Sequence, residues 1–449
     1  MDLLQEYPRN EVWEAISNPN VAAFGITLQG ASHKQSTPPA PCQDAHAMHW
    51  MKDEGIFLAA IIIFVFLVPY SAAVYKGLGS LFSAVFPGVP TWVWMMSIAV
   101  LTAVYLVAGG YIATSYTDLV QGVIMIAGVI LLVVTVLKHD AVNGLGGLME
   151  NLRNFQSLPN DPNPITGSQL TNLFGGSSFR FLCFNIMLTS FGTWGLPQMI
   201  VKFYAIKDTA AIKRGTIIST FFCIVIGCGA YLIGSTSRLI LGGQLPEGGI
   251  DAIIPTLLME VLSGGKLGLI LLAIIMVLLL SASMSTLQAV VLTSASAVAV
   301  DLIPAVTKKA AKPESQMLLT RLFCLAFVAC SFVFATRNIP IIVSLMSFSW
   351  GLVSGCFIGP YLWGLFSKKI TKIGAMAGIV SGLLTVGGAT LVISLTSGFS
   401  AAAAKSPEMG VAAMAVSMFV VPVVSAITKN SEAETARIDN IFACYSEDI

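Results

Sequence analysis

The stretch LGLILLAIIMVLLLSASMSTLQAVVLTSASAVAV, residues 267–300, runs without a single Asp, Glu, Lys or Arg. A helix crosses the hydrocarbon core of a bilayer with about 20 mainly apolar residues. This segment exceeds that length, so tilt, a kink or an extension beyond the bilayer is expected of it. It is also polar at its middle, where Ser281 to Gln288 interrupt the aliphatic run. A long apolar helix with hydroxyls at its centre is the pattern of a membrane helix that handles something polar.

Working outward, the same test finds further spans at about 56–87, 91–108, 116–137, 180–201, 214–240, 317–336, 340–366, 374–395 and 410–428. The first is also long, and Pro69 is placed to kink it. The fold class is therefore all-α: a polytopic membrane bundle of about ten transmembrane helices. Composition agrees, with 55% hydrophobic and 10% charged residues against roughly 25% charged in soluble domains. Residues 1–54 form a polar leader with no apolar run, 55–430 the membrane domain and 431–449 a tail. The leader does not read as a signal peptide.

Partners other than lipid and a small-molecule solute are not suggested. A formal net charge of +1 gives no basic stripe, and no nucleic-acid partner is expected. Eight scattered cysteines have no CxxC or Cys/His spacing, so neither zinc nor a disulfide framework is expected. Buried thiols acting as small hydrophobes are the default.

Orientation follows from Lys and Arg in short loops. Lys202, Lys207, Lys213 and Arg214, then Lys308, Lys309 and Lys312, then Lys368, Lys369 and Lys372 mark three loops on one side of the bundle. That side reads as cytoplasmic, which places both termini in the cytoplasm and the chain in the cell (inner) membrane. Two hydrophilic stretches fall on the outer side. Residues 138–179 read as a loop, and Asp251 to Glu260 as a short amphipathic segment lying on the surface.

Polar groups in hydrocarbon are costly unless satisfied, so three intramembrane clusters are candidates for function. In Ala282-Ser-Met-Ser285-Thr286-Leu-Gln288 the Ala282 carbonyl lies one turn before two hydroxyls. Those oxygens could replace water around a sodium ion; the ordinary alternative is hydroxyls bonding back along their own helix. Gly109 to Gln121 reads as a cytoplasmic turn into the third span. There Asp118 sits either as a carboxylate favoured at a helix start, with Ser115 or Thr117 as cap, or as an acid facing an aqueous exit path. Phe191-Gly192-Thr193-Trp194-Gly195-Leu196-Pro197-Gln198 holds two glycines and a proline in one turn, which predicts a broken helix. Broken helices expose backbone groups at the midplane, where transporters build substrate sites. A simple kink is the alternative.

These segments resemble the sodium:solute symporter family, which includes proline, pantothenate and sugar symporters. Gly109-Gly110 through Asp118-Leu119-Val120-Gln121 is similar to its signature segment, and Met284-Ser285-Thr286-Leu287 to its sodium-site helix. Gly195-Leu196-Pro197-Gln198 with Lys202, and Ile254-Pro255-Thr256-Leu257, are most similar to the pantothenate-type branch. The resemblance implies sodium as coupling ion, held by Ala282, Ser285 and Thr286, with Asp118 near its release route. It implies substrate contacts at Gly192, Trp194, Gly195, Pro197 and Gln198. The implied function is sodium-coupled uptake of a small organic solute, such as pantothenate or an amino acid, with no enzymatic activity. Lys202 stands where the family usually has Arg, which puts bidentate pairing there in doubt.

The resemblance also implies a five-plus-five inverted repeat that is incomplete here. In that register the first span corresponds to the third core helix, with the preceding helix and the first two core helices absent. A transport-inactive, truncated relative is therefore the alternative expectation. Within the leader, Gly30-Ala31-Ser32-His33 and Pro41-Cys42-Gln43-Asp44-Ala45 resemble the opening of a PP2C-type phosphatase. The further aspartates such a site needs do not follow before the membrane begins.

Overall fold

A computed structural model describes residues 53–156, 166–172, 179–204, 209–262, 265–307, 313–337 and 342–443. The leader and its phosphatase-like stretch lie outside them. Every named element among the described residues is helical. In chain order these are α1 (Asp53–Val85), α2 (Thr91–Leu137), α3 (Gly144–Arg153), α4 (Gly167–Leu170), α5 (Phe179–Gly192), α6 (Pro197–Tyr204), α7 (Thr209–Ile240) and α8 (Ile253–Leu262). There follow α9 (Gly265–Ser296), α10 (Ile303–Thr307), α11 (Pro313–Ala335), α12 (Ile342–Phe366), α13 (Lys372–Ser397), α14 (Phe399–Ala404), α15 (Ser406–Ile427) and α16 (Glu432–Ala443).

Eight helices among the described residues are long and apolar enough to cross a membrane. Of the other two of the ten expected crossings, one falls on the shorter apolar run Thr91–Val107 and one on the interrupted α5–α6 pair, which is not among the eight. The outer faces confirm the solvent. Ile217, Ile218, Phe221 and Ile224 on α7 are all more than half exposed, a face that water would not tolerate and lipid does.

The expected turn at Gly109–Gln121 needs a correction. Helical hydrogen bonding continues through α2 for 47 residues, about 70 Å if straight. It is not straight. Twelve residues of helix span about 18 Å, yet the Tyr105 hydroxyl meets that of Thr117. Thr102 and Asp118 likewise reach Met284 and Gln288, one turn apart on α9. The reversal is present, achieved by a sharp bend within helical backbone rather than by a loop, and Asp118 is not at a helix start. The capping account of Asp118 therefore falls.

Residues 138–179 are not simply loop. Leu145, Leu148, Met149 and Leu152 recur at helical spacing, and α3 buries Leu148 and Leu152 with Val142 against Leu232, Leu239 and Ile240 of α7. Asn143 at φ 56° and Gly144 at φ 73° turn the chain into α3. The excess length of residues 267–300 is also resolved. After Ser296 the helix widens into a π-turn, Ala297–Leu302, and re-forms as α10. Pro304 lacks the N–H that would bond back to Val300, which accounts for a change of helical geometry just before it. Of the cysteines, Cys324 and Cys356 are buried, whereas Cys223, Cys228 and Cys330 are exposed on the outer surface.

At the centre of the bundle stands α12. Ser349 donates to the Phe66 carbonyl of α1 at 2.5 Å, Ser354 to Gly192 of α5 at 2.7 Å, and Trp363 to Met418 of α15 at 2.8 Å. In a membrane interior such bonds satisfy polar groups that lipid cannot. At one end of the bundle the turn after α12 holds α16 through Lys368 and Asp439, 3.3 Å apart. The segment Ile250–Leu262 lies at the opposite end, where Asp251 faces the start of α12.

Candidate functional site: an oxygen cluster at the wall of a cavity

Midway along α9, Ser285 Oγ donates to the Ala282 carbonyl at 3.0 Å and Thr286 Oγ1 donates to the same oxygen at 3.1 Å. Each bond alone is an ordinary helical back-bond. Their convergence is what matters: three oxygens, with no charge among them, gather on one face of a helix. Ala282, Ser285 and Thr286 are all half-buried, so the cluster is neither sealed in the core nor open to lipid.

That face looks onto a cavity of about 390 Å³. Its walls are Tyr70, Ala73, Val74, Gly77, Leu78 and Leu81 of α1, Ile254 and Pro255 of α8, Ile342 and Met346 of α12, and Leu279, Ala282, Ser283 and Thr286 of α9, with Asp251 at one end. Tyr70 stands edge-on to Trp350, ring centroids 5.7 Å apart, and its hydroxyl lies beside Thr286. The hydroxyls of Tyr70, Ser283 and Thr286 are thus the polar part of an otherwise largely apolar chamber.

Asp118 reaches α9 from α2 on another side of the helix. Gln288 Nε2 donates to Asp118 Oδ1, and Gln288 is only 2% exposed. At about 100° per residue, Thr286 and Ser283 face the cavity, Ser285 lies about 60° round the helix from Ala282, and Gln288 about 60° further. Ser285 therefore bridges the cavity face and the Gln288–Asp118 pair. The sequence places Asp118 and Gln288 170 residues apart, and only the packing of α2 on α9 joins them. Replacing Asp118 by Leu is expected to remove a partner of a buried amide and cost roughly 1–3 kcal/mol. Asp118→Asn keeps an acceptor and should be close to neutral. Thermal unfolding of the two purified variants in one detergent checks this.

The predicted break in the fourth span is present. Helix α5 stops at Gly192, a 3-10 turn covers Thr193–Gly195, Leu196 is extended at φ −87° and ψ 118°, and α6 starts at Pro197. Pro at the first helical position has no N–H to leave unsatisfied. Gly195 is required by proximity: a Cβ there would sit 2.9 Å from the Ser354 carbonyl and 3.0 Å from the Ile358 nitrogen. Gly192, Trp194, Gly195, Pro197 and Gln198 do not line the 390 Å³ cavity. Trp194 is 52% exposed and packs edge-on to Phe191. Gln198 is 3% exposed, and among the described residues neither atom of its amide has a hydrogen-bond partner. The Lys202 side chain lies outside what the structure describes.

Two contributors escaped the sequence reading. Tyr70 follows Pro69 in mid-span, and a Pro-Tyr-Ser run within an apolar helix is a polar interruption of the kind that marked Ser283 to Gln288. Asp251 was visible only as one acid in a surface segment, and nothing local tied it to α12.

A bundle of membrane helices with one discontinuous member, and a cavity walled by a hydroxyl-bearing helix, is the architecture of a membrane transporter. The chain belongs to the sodium:solute symporter family, whose model matches residues 48–382. It is 29% identical over 345 residues to the high-affinity proline transporter PutP of Bacillus subtilis, covering 76% of this chain and 67% of that one. It is 28% identical over 290 residues to the sodium/pantothenate symporter of Haemophilus influenzae, covering 64% of this chain and 56% of the relative. The chain thus spans between half and about two thirds of these relatives' lengths. Its fold is shared with a Na+-coupled sialic acid symporter solved in a substrate-bound outward-open state, at a TM-score of 0.64 and 16% identity, over 87% of this chain and 78% of that one.

Proposed function

We propose that this chain carries out sodium-coupled symport of a small organic solute, with the ion held at Ala282, Ser285 and Thr286 and the solute in the adjoining cavity. The observation that carries this reading is the convergence of both hydroxyls on the Ala282 carbonyl at the cavity wall. Sodium takes hard oxygen ligands, and the hydroxyls can swing their protons away from the carbonyl and turn lone pairs to the ion. The set supplies three oxygens from α9, and the ion's remaining ligands come from outside it. Ser285 then hands the ion to the Gln288–Asp118 pair, which offers a carboxylate on the route out of the site.

The positive-inside distribution supports an orientation with the Lys368–Lys372 turn in the cytoplasm and Ile250–Leu262 outside. The cavity then faces the outer side, as uptake requires. Rocking of one helix group against another is the expected mechanism, with the break at Thr193–Leu196 as its flexible element. The partnerless amide of Gln198 supports this. A buried amide left unbonded costs roughly 1–3 kcal/mol, which a second conformation would recover.

The test is uptake of radiolabelled proline and pantothenate into proteoliposomes holding the purified chain, with sodium or potassium outside. A saturable signal in sodium alone is the expected result. Uptake equal in both media would remove sodium coupling from the reading.

A further inference from the structure

Resting on the cavity as the solute site, we infer that the cavity selects solutes bearing a positively charged nitrogen, and that Asp251 is the residue that reads it. The argument is one of charge. Among the described residues fifteen line the chamber, and Asp251 is the only charged one of these. No Lys, Arg or His is among these described residues, so an anionic solute would meet a lone carboxylate, three neutral hydroxyls and apolar walls, with no countercharge from them. An ammonium meets an acceptor instead. In a cavity of low polarity a charge-assisted hydrogen bond to a carboxylate is roughly twice as strong as a neutral one.

Asp251 is also held in place. Both of its carboxylate oxygens approach the Ile342 amide at the start of α12, at 3.4 and 3.3 Å. One N–H shared between two oxygens leaves most of their acceptor capacity directed elsewhere. The contact fixes the carboxylate where Ile342 and Ile254 also line the cavity. At the other end of the chamber the Tyr70, Ser283 and Thr286 hydroxyls offer donors and acceptors without charge. The apolar residues between, Ala73, Val74 and Leu78 of α1 with Leu279 and Met346, fit a hydrocarbon ring or chain. The solute class is therefore a small organic ammonium compound with an apolar body, a cyclic amino acid or amine rather than a simple carboxylate.

Replacing Asp251 with Asn keeps an oxygen to accept from Ile342 and removes only the charge, so folding and selectivity can be separated. The experiment is thermal unfolding of the full chain in detergent and sodium, titrated with L-proline, L-proline methyl ester, N-acetyl-L-proline and pantothenate. A ligand that binds only the native state raises the midpoint in proportion to its affinity. Stabilisation by proline and its ester but not by N-acetylproline or pantothenate is expected, with a loss of about tenfold or more in apparent affinity in Asp251→Asn and retention in Asp251→Glu. Stabilisation by pantothenate or N-acetylproline instead, or an amine response unchanged in Asp251→Asn, overturns the inference. Repeating the titration in potassium chloride, which carries no ammonium nitrogen, separates this from the coupling reading. An Asp251-dependent amine response indifferent to sodium would leave this inference standing and remove sodium from the site.

Discussion

The double variant Ser285→Ala, Thr286→Ala is expected to fold as well as the parent and to lose its response to sodium. Both halves of that expectation come from the same geometry. Without an ion, each hydroxyl spends its proton on the Ala282 carbonyl of its own helix. That carbonyl also accepts the ordinary helical bond four residues on, so deleting both hydroxyls leaves no buried acceptor unsatisfied. Alanine is moreover the best helix former, and the ion-free melting temperature should hardly move. With an ion, the hydroxyls become ligands to a charge. A hydrogen-bonding group lost from a charged partner costs about 1.5–3 kcal/mol, or roughly tenfold to a hundredfold in sodium affinity for each residue. The measurement is the midpoint of thermal unfolding against sodium concentration, which rises with the logarithm of ion concentration over Kd. The parent should climb and the double variant stay flat. Thr286→Ser, which keeps the hydroxyl, should climb like the parent. A double variant that still climbs would place the ion elsewhere.

How much of this was legible in the sequence depends on whether the determining contact was local. The spans were legible, because lipid demands long uncharged runs and residues 267–300 can satisfy nothing else. The break at Gly192–Pro197 was legible for the same reason: Gly and Pro in one turn act on their own backbone. The Ala282, Ser285 and Thr286 cluster lies within five residues of one helix, so period alone assembles it. Asp118 had two readings, a helix-start acid or an acid facing an aqueous exit path, and helix running through Asp118 removes the first. The bend between Tyr105 and Thr117 and the pairing with Gln288 depend on α2 folding back onto α9, which no local pattern encodes. Asp251 and Tyr70 meet at one cavity for the same non-local reason. The helical segment α3 was missed because Asn and Gly dominate its surroundings, although its leucines keep the helical period.

The small residues at the centre of the bundle were also legible in principle, and they set the second large effect. Gly351, Gly355 and Gly359 recur every four residues on α12 and so form one stripe. The stripe lies against Gly410, Ala413 and Ser417 of α15. A Cβ on Gly351 would come within 2.6 Å of the Gly410 Cα, and one on Gly410 equally close to the Gly351 Cα. These are backbone atoms of two helices, which cannot turn aside as the end of a side chain can. In lipid there is no hydrophobic drive to hold helices together, so close backbone approach through small residues supplies the association. Gly351→Leu must therefore push α15 away from α12, the helix that also binds α1 and α5. Overpacking a core costs typically 1–3 kcal/mol, and with backbone on both sides about 3 kcal/mol or more is expected, seen as a lower unfolding midpoint and a loss of monodisperse protein. Gly387 on α13 is the control, since a Cβ there meets nothing within 4 Å. Gly387→Ala should be neutral or stabilise by up to about 1 kcal/mol through helix propensity. Equal damage from the two substitutions would mean that glycine matters here for flexibility along the helix and not for the approach of α12 to α15.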